Sequence, residues 1–133
     1  MSQANADVVR RAVDSFNELG FAGFSASDLV TDDIEFREPP EQPAPRVARG
    51  REEVRALTEE FDSAWEEHQS EPQEIRALDA NRVLLVTVER FKGRDGIEME
   101  APFAAIFTLR SGKIARWDGF WDKQKALEAA GLS

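Results

Sequence analysis

The sequence predicts an α+β fold, with helices packed on one face of a mainly antiparallel sheet. Three observations carry this. Helical apolar spacing dominates the first half, strand-like segments separated by short polar turns fill the second, and the chain closes on an aromatic strand followed by a capped helix. A chain of 133 residues is enough for one domain, 1–133, with a buried core, and no internal repeat or low-complexity segment divides it.

Residues 5–19 place Val9, Ala12, Val13 and Phe16 at spacings of three and four, one apolar stripe on a charged segment, which is the pattern of an amphipathic helix. Gly20 and Gly23 interrupt it, after which Ser25 or Ser27 can cap a short helical turn carrying Leu29 and Val30. Ile34, Phe36 and Glu38 then alternate with Glu35 and Arg37 in a strand that ends at Pro39, where the ladder loses an N–H donor. Pro39, Pro40, Pro43 and Pro45 stiffen the next loop into a rim.

Helical spacing returns from Gly50 to about Glu67 through Val54, Leu57, Phe61, Ala64 and Trp65, with His68 as an exposed residue at the helix end. Strands follow near 71–78, 81–92, 97–110 and 113–121, with turns at Asp79-Ala80-Asn81, at 93–96 and at Ser111-Gly112. On the last strand Trp117, Gly119 and Trp121 share one face and Asp118 takes the other, because successive side chains point to opposite sides. Asp122 is placed to cap the final helix and Gly131 to end it.

The balance of 26 acidic to 17 basic residues gives a net charge of −9, which repels phosphate backbones and anionic headgroups, so nucleic acid and membrane are not expected partners. The chain has no cysteine and a single histidine, which leaves no thiol nucleophile, no thiolate metal site and no histidine cluster. Glu98 and Glu100 alone make a weak metal pair. No signal-like start and no apolar run of about 18 residues is present, and a cytoplasmic location is expected.

The segments EFREPP at 35–40, GREEVRAL at 50–57, VERF at 88–91, GKIARW and the ALEAAGL ending resemble the nuclear transport factor 2-like, or SnoaL-like, superfamily. That resemblance covers nearly the whole chain. It implies a strongly curved, cystatin-like sheet wrapped around the amino-terminal helices as a cone with an internal pocket, and a homodimer through the outer sheet face. The scaffold carries isomerases, hydrolases, cyclases, dehydratases and plain binding proteins. Glu38-Pro39 matches the position of the catalytic Asp-Pro of ketosteroid isomerase, but the tyrosine of that enzyme has no counterpart here. Glu89-Arg90 and the GKI-x-x-W ending are similar to limonene epoxide hydrolase, whose two catalytic aspartates fall on Lys92 and Gly119.

Both comparisons imply the same pocket faces: Ile34, Phe36 and Glu38 on the first strand, Val86, Val88, Arg90 and Lys92 on the third, and Phe103, Ala105 and Phe107 on the fourth. Trp117, Gly119 and Trp121 supply the last strand's share, with Gly119 leaving an opening, while Phe16, Phe61 and Trp65 add walls from the helices. Glu38 and Arg90 are the candidate catalytic residues. Apart from Arg90, a buried Glu38 rises toward neutrality and can act as general acid or base; paired with it, Glu38 stays ionised and Arg90 orients the substrate. The expected function is a cofactor-independent isomerase, cyclase or dehydratase using proton transfer on a small hydrophobic molecule. A binding protein for a hydrophobic metabolite and a dimerisation module with a self-filled pocket are the alternatives.

Overall fold

The computed structural model describes residues 2–132. Helix α1 (Ser2–Ser25) buries Val8, Val9, Ala12 and Val13, and it is broken at Gly20, whose φ of 81° and ψ of 173° lie outside the helical region. Glycine tolerates that geometry because it has no Cβ. The break exposes backbone N–H groups at the start of the second helical segment, and the Asp62 carboxylate supplies their acceptors, at 3.2 Å from Phe21 N and 2.9 Å from Ala22 N.

Strands β1 (Val30–Arg37) and β2 (Val47–Arg49) flank the Pro-rich rim, and α2 (Gly50–Ser63) follows directly. Strands β3 (Glu67–Ala77), β4 (Arg82–Lys92), β5 (Glu98–Arg110) and β6 (Lys113–Phe120) lead to α3 (Lys123–Ala129). The sheet order is β2-β1-β6-β5-β4-β3, antiparallel throughout except for the parallel β1–β6 pair. Register shifts at Pro72/Glu74, at Thr108/Leu109 and along β1–β6 bend the strands, as bulges do, and the long sheet curls around α1 and α2. The main core lies between them, with Ile34 and Phe36 of β1 almost wholly buried. A second, smaller cluster of Leu84, Ala104, Ile106 and Phe120 lies on the outer face under Ala126 of α3. Asp122 caps α3 by accepting from Lys125 N at 2.9 Å. Gly131, at φ 78°, closes it in a Schellman turn with Leu132 N on Leu127 O and Gly131 N on Glu128 O.

Three expected boundaries move. The separate helical turn after Ser25 is absent; the second helical segment ends at Ser25, and Val30 already pairs with Ile114 in the sheet. Helix α2 stops at Ser63 rather than about Glu67. Strand β3 begins at Glu67, because the full length of β4 offers ladder partners (Glu67 to Lys92, His68 to Phe91) to a segment with little strand propensity of its own.

The Asp62 cap is testable. Asp62→Ala is expected to lose about 1 kcal/mol of stability in urea denaturation, as other helix caps do, with Asp62→Asn recovering part of it through its remaining carbonyl oxygen.

Candidate functional site

A cavity of about 400 Å³ opens between the inner sheet face and helices α1 and α2. Its wall is mostly aromatic. Phe36 of β1, Phe103, Ala105 and Phe107 of β5, and Trp117 line it, joined by Phe16 and Phe61 from the helices and by Trp121 at the mouth. The rings form a plated surface: Phe36 stacks on Trp117 at 5.0 Å and 29°, and Trp117 on Phe103 at 5.8 Å and 20°. Phe21, turned inward by the break at Gly20, packs on Phe36 and Trp117.

Adjacent strands carry one polar cluster into this wall. His68 and Ser70 of β3 face Phe91 and Glu89 of β4, and Thr87 lies on the same side. Glu89 is only 7% exposed, and its carboxylate gathers three partners: His68 Nε2 at 2.6 Å, Ser70 Oγ at 2.7 Å, and Thr87 Oγ1. Such convergence satisfies a carboxylate that burial would otherwise make costly. The His68 ring stacks flat on Phe91, 4.4 Å apart at 9°, and meets the edges of Phe16 and Phe61. Its Nδ1 is the one buried side-chain nitrogen or oxygen without a hydrogen-bond partner among the described residues.

At the mouth, Glu38 is held by Arg46. Oε1 accepts from Arg46 N at 2.8 Å, Arg46 Nε at 3.1 Å and Gln42 Nε2 at 2.9 Å, and Oε2 accepts from Arg46 Nη2 at 3.0 Å. Arg46 Nη1 reaches across to Glu60 Oε2 on α2 at 2.6 Å. Burial pushes the Glu38 carboxyl up, but the hydrogen bonds and charge of Arg46, helped by Gln42, outweigh it and hold the carboxyl below its ordinary value.

Arg90 was expected to face the pocket with Glu38, paired with it or apart, and the structure corrects this. Arg90 sits on the outer sheet face, exposed, bonded to Glu100 at 2.5 Å and Glu71 at 2.8 Å. Val86, Val88 and Lys92 share its parity and also face outward, while Leu85, Thr87, Glu89 and Phe91 line the cavity. Strand β4 is apolar on both faces because α3 covers its outer side at Leu84 and Val86, so hydrophobic alternation does not mark its inner face. Gly119 leaves no opening: a Cβ there would lie 2.8 Å from the Trp117 ring and 3.1 Å from Phe103, so those two rings occupy the space. Trp65 stands behind the wall, 4.6 Å from the Phe91 ring. His68 is not an exposed helix end but a strand residue whose side chain is 10% exposed. The pairs His68-x-Ser70 and Thr87-x-Glu89 carried the missed signal, polar residues two apart that must share one strand face. No group of three or more potential metal ligands occurs among the described residues. No helix among them is long and apolar enough to cross a membrane.

Two outcomes follow from this geometry. Glu89→Ala strands His68 Nε2 and two hydroxyls in the wall and is expected to cost about 2–4 kcal/mol in chemical denaturation. Glu38 binds its proton less readily folded than unfolded. Its contribution to stability is therefore complete above the ordinary glutamate value of about 4.3 and is lost as pH falls through the lowered folded value. Glu38→Gln should flatten that acid limb in thermal melts, by less than about 1 kcal/mol because Arg46 is largely solvent-screened.

Comparison with known proteins agrees with the geometry. The SnoaL-like domain family matches residues 9–117. No curated protein matches the chain. Among solved structures, TerC co-crystallised with polyporic acid superposes with a TM-score of 0.75 at 15% identity, covering 97% of both chains. A protein of ketosteroid isomerase-like fold from Catenulispora acidiphila, in complex with trimethylamine, gives 0.73 at 13% identity, covering 96% of this chain and 94% of that one. An NTF2-like protein from Burkholderia pseudomallei gives 0.75 at 16% identity, covering 94% and 95%. At these identities the likeness shows the fold, and the family match, which spans most of the chain, shows the membership: this protein belongs to the SnoaL-like domain family.

Proposed function

We propose that the protein is a cofactor-independent enzyme that moves a proton on a small hydrophobic molecule, in the isomerase, cyclase or dehydratase class, with His68 as the acid/base. The observation that carries this reading is the His68–Glu89 pair in the cavity wall, Nε2 fixed at 2.6 Å and Nδ1 buried without a partner. A carboxylate acceptor favours the tautomer with the proton on Nε2, which leaves the Nδ1 lone pair as the basic site. Nδ1 is buried, so a substrate meets it only when the ring turns toward the cavity, and the substrate then offers the hydrogen-bonding group the atom lacks. Glu89 then acts as a positioning residue, stabilising the imidazolium formed when Nδ1 takes a proton, the role an acid plays behind a catalytic histidine in other folds. Ser70 and Thr87 hold Glu89 in turn. Glu38, ionised and bound by Arg46, shapes the mouth in this reading and takes no proton.

The presence of organic molecules in two solved structures of this fold, polyporic acid in TerC and trimethylamine in the Catenulispora protein, supports a small-molecule occupant for the cavity. Assembly as a homodimer through the outer sheet face belongs to the same proposal. The alternating Glu35, Arg37, Arg116 and Asp118 on β1 and β6 give that face a mixed-charge patch able to pair with its own copy, which a mass measurement in solution tests.

The enzymatic reading can be tested before the substrate is known. Carbonyl- and hydroxyl-bearing compounds of two and three rings, incubated with the protein in D2O, are expected to include some that acquire deuterium at carbon, followed by NMR. His68→Gln, shown folded by circular dichroism, should slow that exchange about 10²- to 10⁴-fold. Exchange untouched in His68→Gln would sink the mechanism, and compounds that bind without any exchange would mark a binding protein instead.

A further inference from the structure

We propose that the Arg46 side chain is a latch across the mouth of the cavity, hinged on Glu38 and closed on Glu60 of α2, and that this exposed ion pair sets how readily small uncharged molecules enter. Such a latch governs access alone and does not depend on the acid/base role of His68.

The mouth is framed by Glu38, Pro39, Gln42 and Arg46 of the Pro-rich segment, by Glu60 of α2 and by Trp121 after β6. On the strand side this frame is fastened several times over. Glu38 N donates to Arg46 O at 3.0 Å, Gln42 N to Pro39 O at 3.1 Å and Trp121 N to Glu41 Oε1 at 3.1 Å, while Pro39, Pro40, Pro43 and Pro45 restrict the backbone between them. Toward α2 the fastening is a single one. Among the described residues, the only hydrogen bond from this segment across the opening to α2 is Arg46 Nη1 to Glu60 Oε2, at 2.6 Å.

The two ends of the guanidinium are held unequally. Glu38, with its side chain 17% exposed, takes Nε and Nη2 and the Arg46 backbone N–H as well, whereas the Glu60 side chain is 61% exposed and takes Nη1 alone. Contacts that water can replace part first. When Nη1 leaves Glu60, both groups are hydrated at once and the guanidinium stays neutralised on Glu38, so opening strands no unpaired charge against the aromatic wall. Opening therefore costs little and occurs at one place. Salt, which weakens exposed pairs, is the condition that favours it.

Acrylamide, a small neutral quencher, tests the latch without knowledge of the natural occupant. Trp117 lines the cavity and is half-buried, so in the full chain carrying Trp65→Phe/Trp121→Phe its fluorescence lifetime reports collisions inside the cavity. In that background Glu60→Gln, which keeps the size of the side chain and removes its charge, is expected to raise the collisional quenching constant about two- to fivefold at low salt, the range over which an exposed pair shifts an equilibrium. Raising sodium chloride from about 0.02 M to about 0.5 M should carry the parent most of the way to that value and leave Glu60→Gln nearly unchanged. Glu59→Gln removes an equal charge one residue away on the same helix and should behave as the parent does. Both glutamates are exposed, so neither variant is expected to disturb folding. Equal quenching in the parent and in Glu60→Gln, or an equal rise in Glu59→Gln, overturns the latch. Quenching of the parent that ignores salt overturns it too.

Discussion

The Glu89 carboxylate is the constraint on which the site depends. A charge this deep in an aromatic wall stands only with donors on every side, and each donor fixes a piece of structure. His68 and Ser70 can reach it only if β3 starts at Glu67 and runs in register with β4. Thr87 can reach it only from the inner face of β4, which sets the parity of that strand. Helix α1 is fastened at the same place. The Asn17 side chain takes the Ser70 N–H at 2.7 Å and donates to the Ser70 carbonyl at 2.8 Å, clamping the helix to the residue whose hydroxyl holds Glu89.

The mouth is organised on different physics. Interior contacts there give way to partly exposed ion pairs, which solvent weakens and which can exchange partners. The Pro-rich loop is closed at its root by Glu38 N on Arg46 O, and pinned by Glu41, which accepts from Trp121 N at 3.1 Å. Ala44 within it takes a φ of 51°, a left-handed conformation that costs a residue with a Cβ about 1 kcal/mol and that these anchors sustain. The result is an aromatic-walled interior behind a polar rim, with Arg46 as the link between strand, loop and α2.

Legibility in the sequence followed the number of faces each strand buries. Strands β1 and β6 show the inner sets Ile34/Phe36 and Trp117/Gly119, since charged neighbours such as Glu35, Arg37, Arg116 and Asp118 mark the other side, whereas β5, buried on both faces at its centre, yields Phe103/Ala105/Phe107 only through the resemblance to related enzymes. Strand β4, apolar on both faces, gives no such mark, and the parity taken from related enzymes turned Arg90 inward. Strand β3 was obscured for the opposite reason. The run EHQSEPQE has almost no strand-forming residues, and only pairing to β4 makes it a strand. His68 was lost with it, and Glu89 went unnoticed because its partners come from that unreadable strand. Local signals with a fixed chemistry, the Asp122 cap and the Gly131 stop, needed no tertiary context.

Stability alone gives no reason for the cluster of His68, Ser70, Thr87 and Glu89. Buried ionic and hydroxyl groups at best offset their own desolvation, and apolar residues of similar volume commonly hold a core as well or better. The neighbouring positions show that this sheet accepts such residues: Leu85 and Phe107 line the same inner face and pack without any polar partner. The cluster, moreover, is left incomplete by one atom. A network kept for structure would close on itself, as the Arg46–Glu38–Gln42 set does at the mouth. Here the open valence is at His68 Nδ1, buried beside a cavity large enough for a small molecule, and closing it requires the ring to turn toward that cavity.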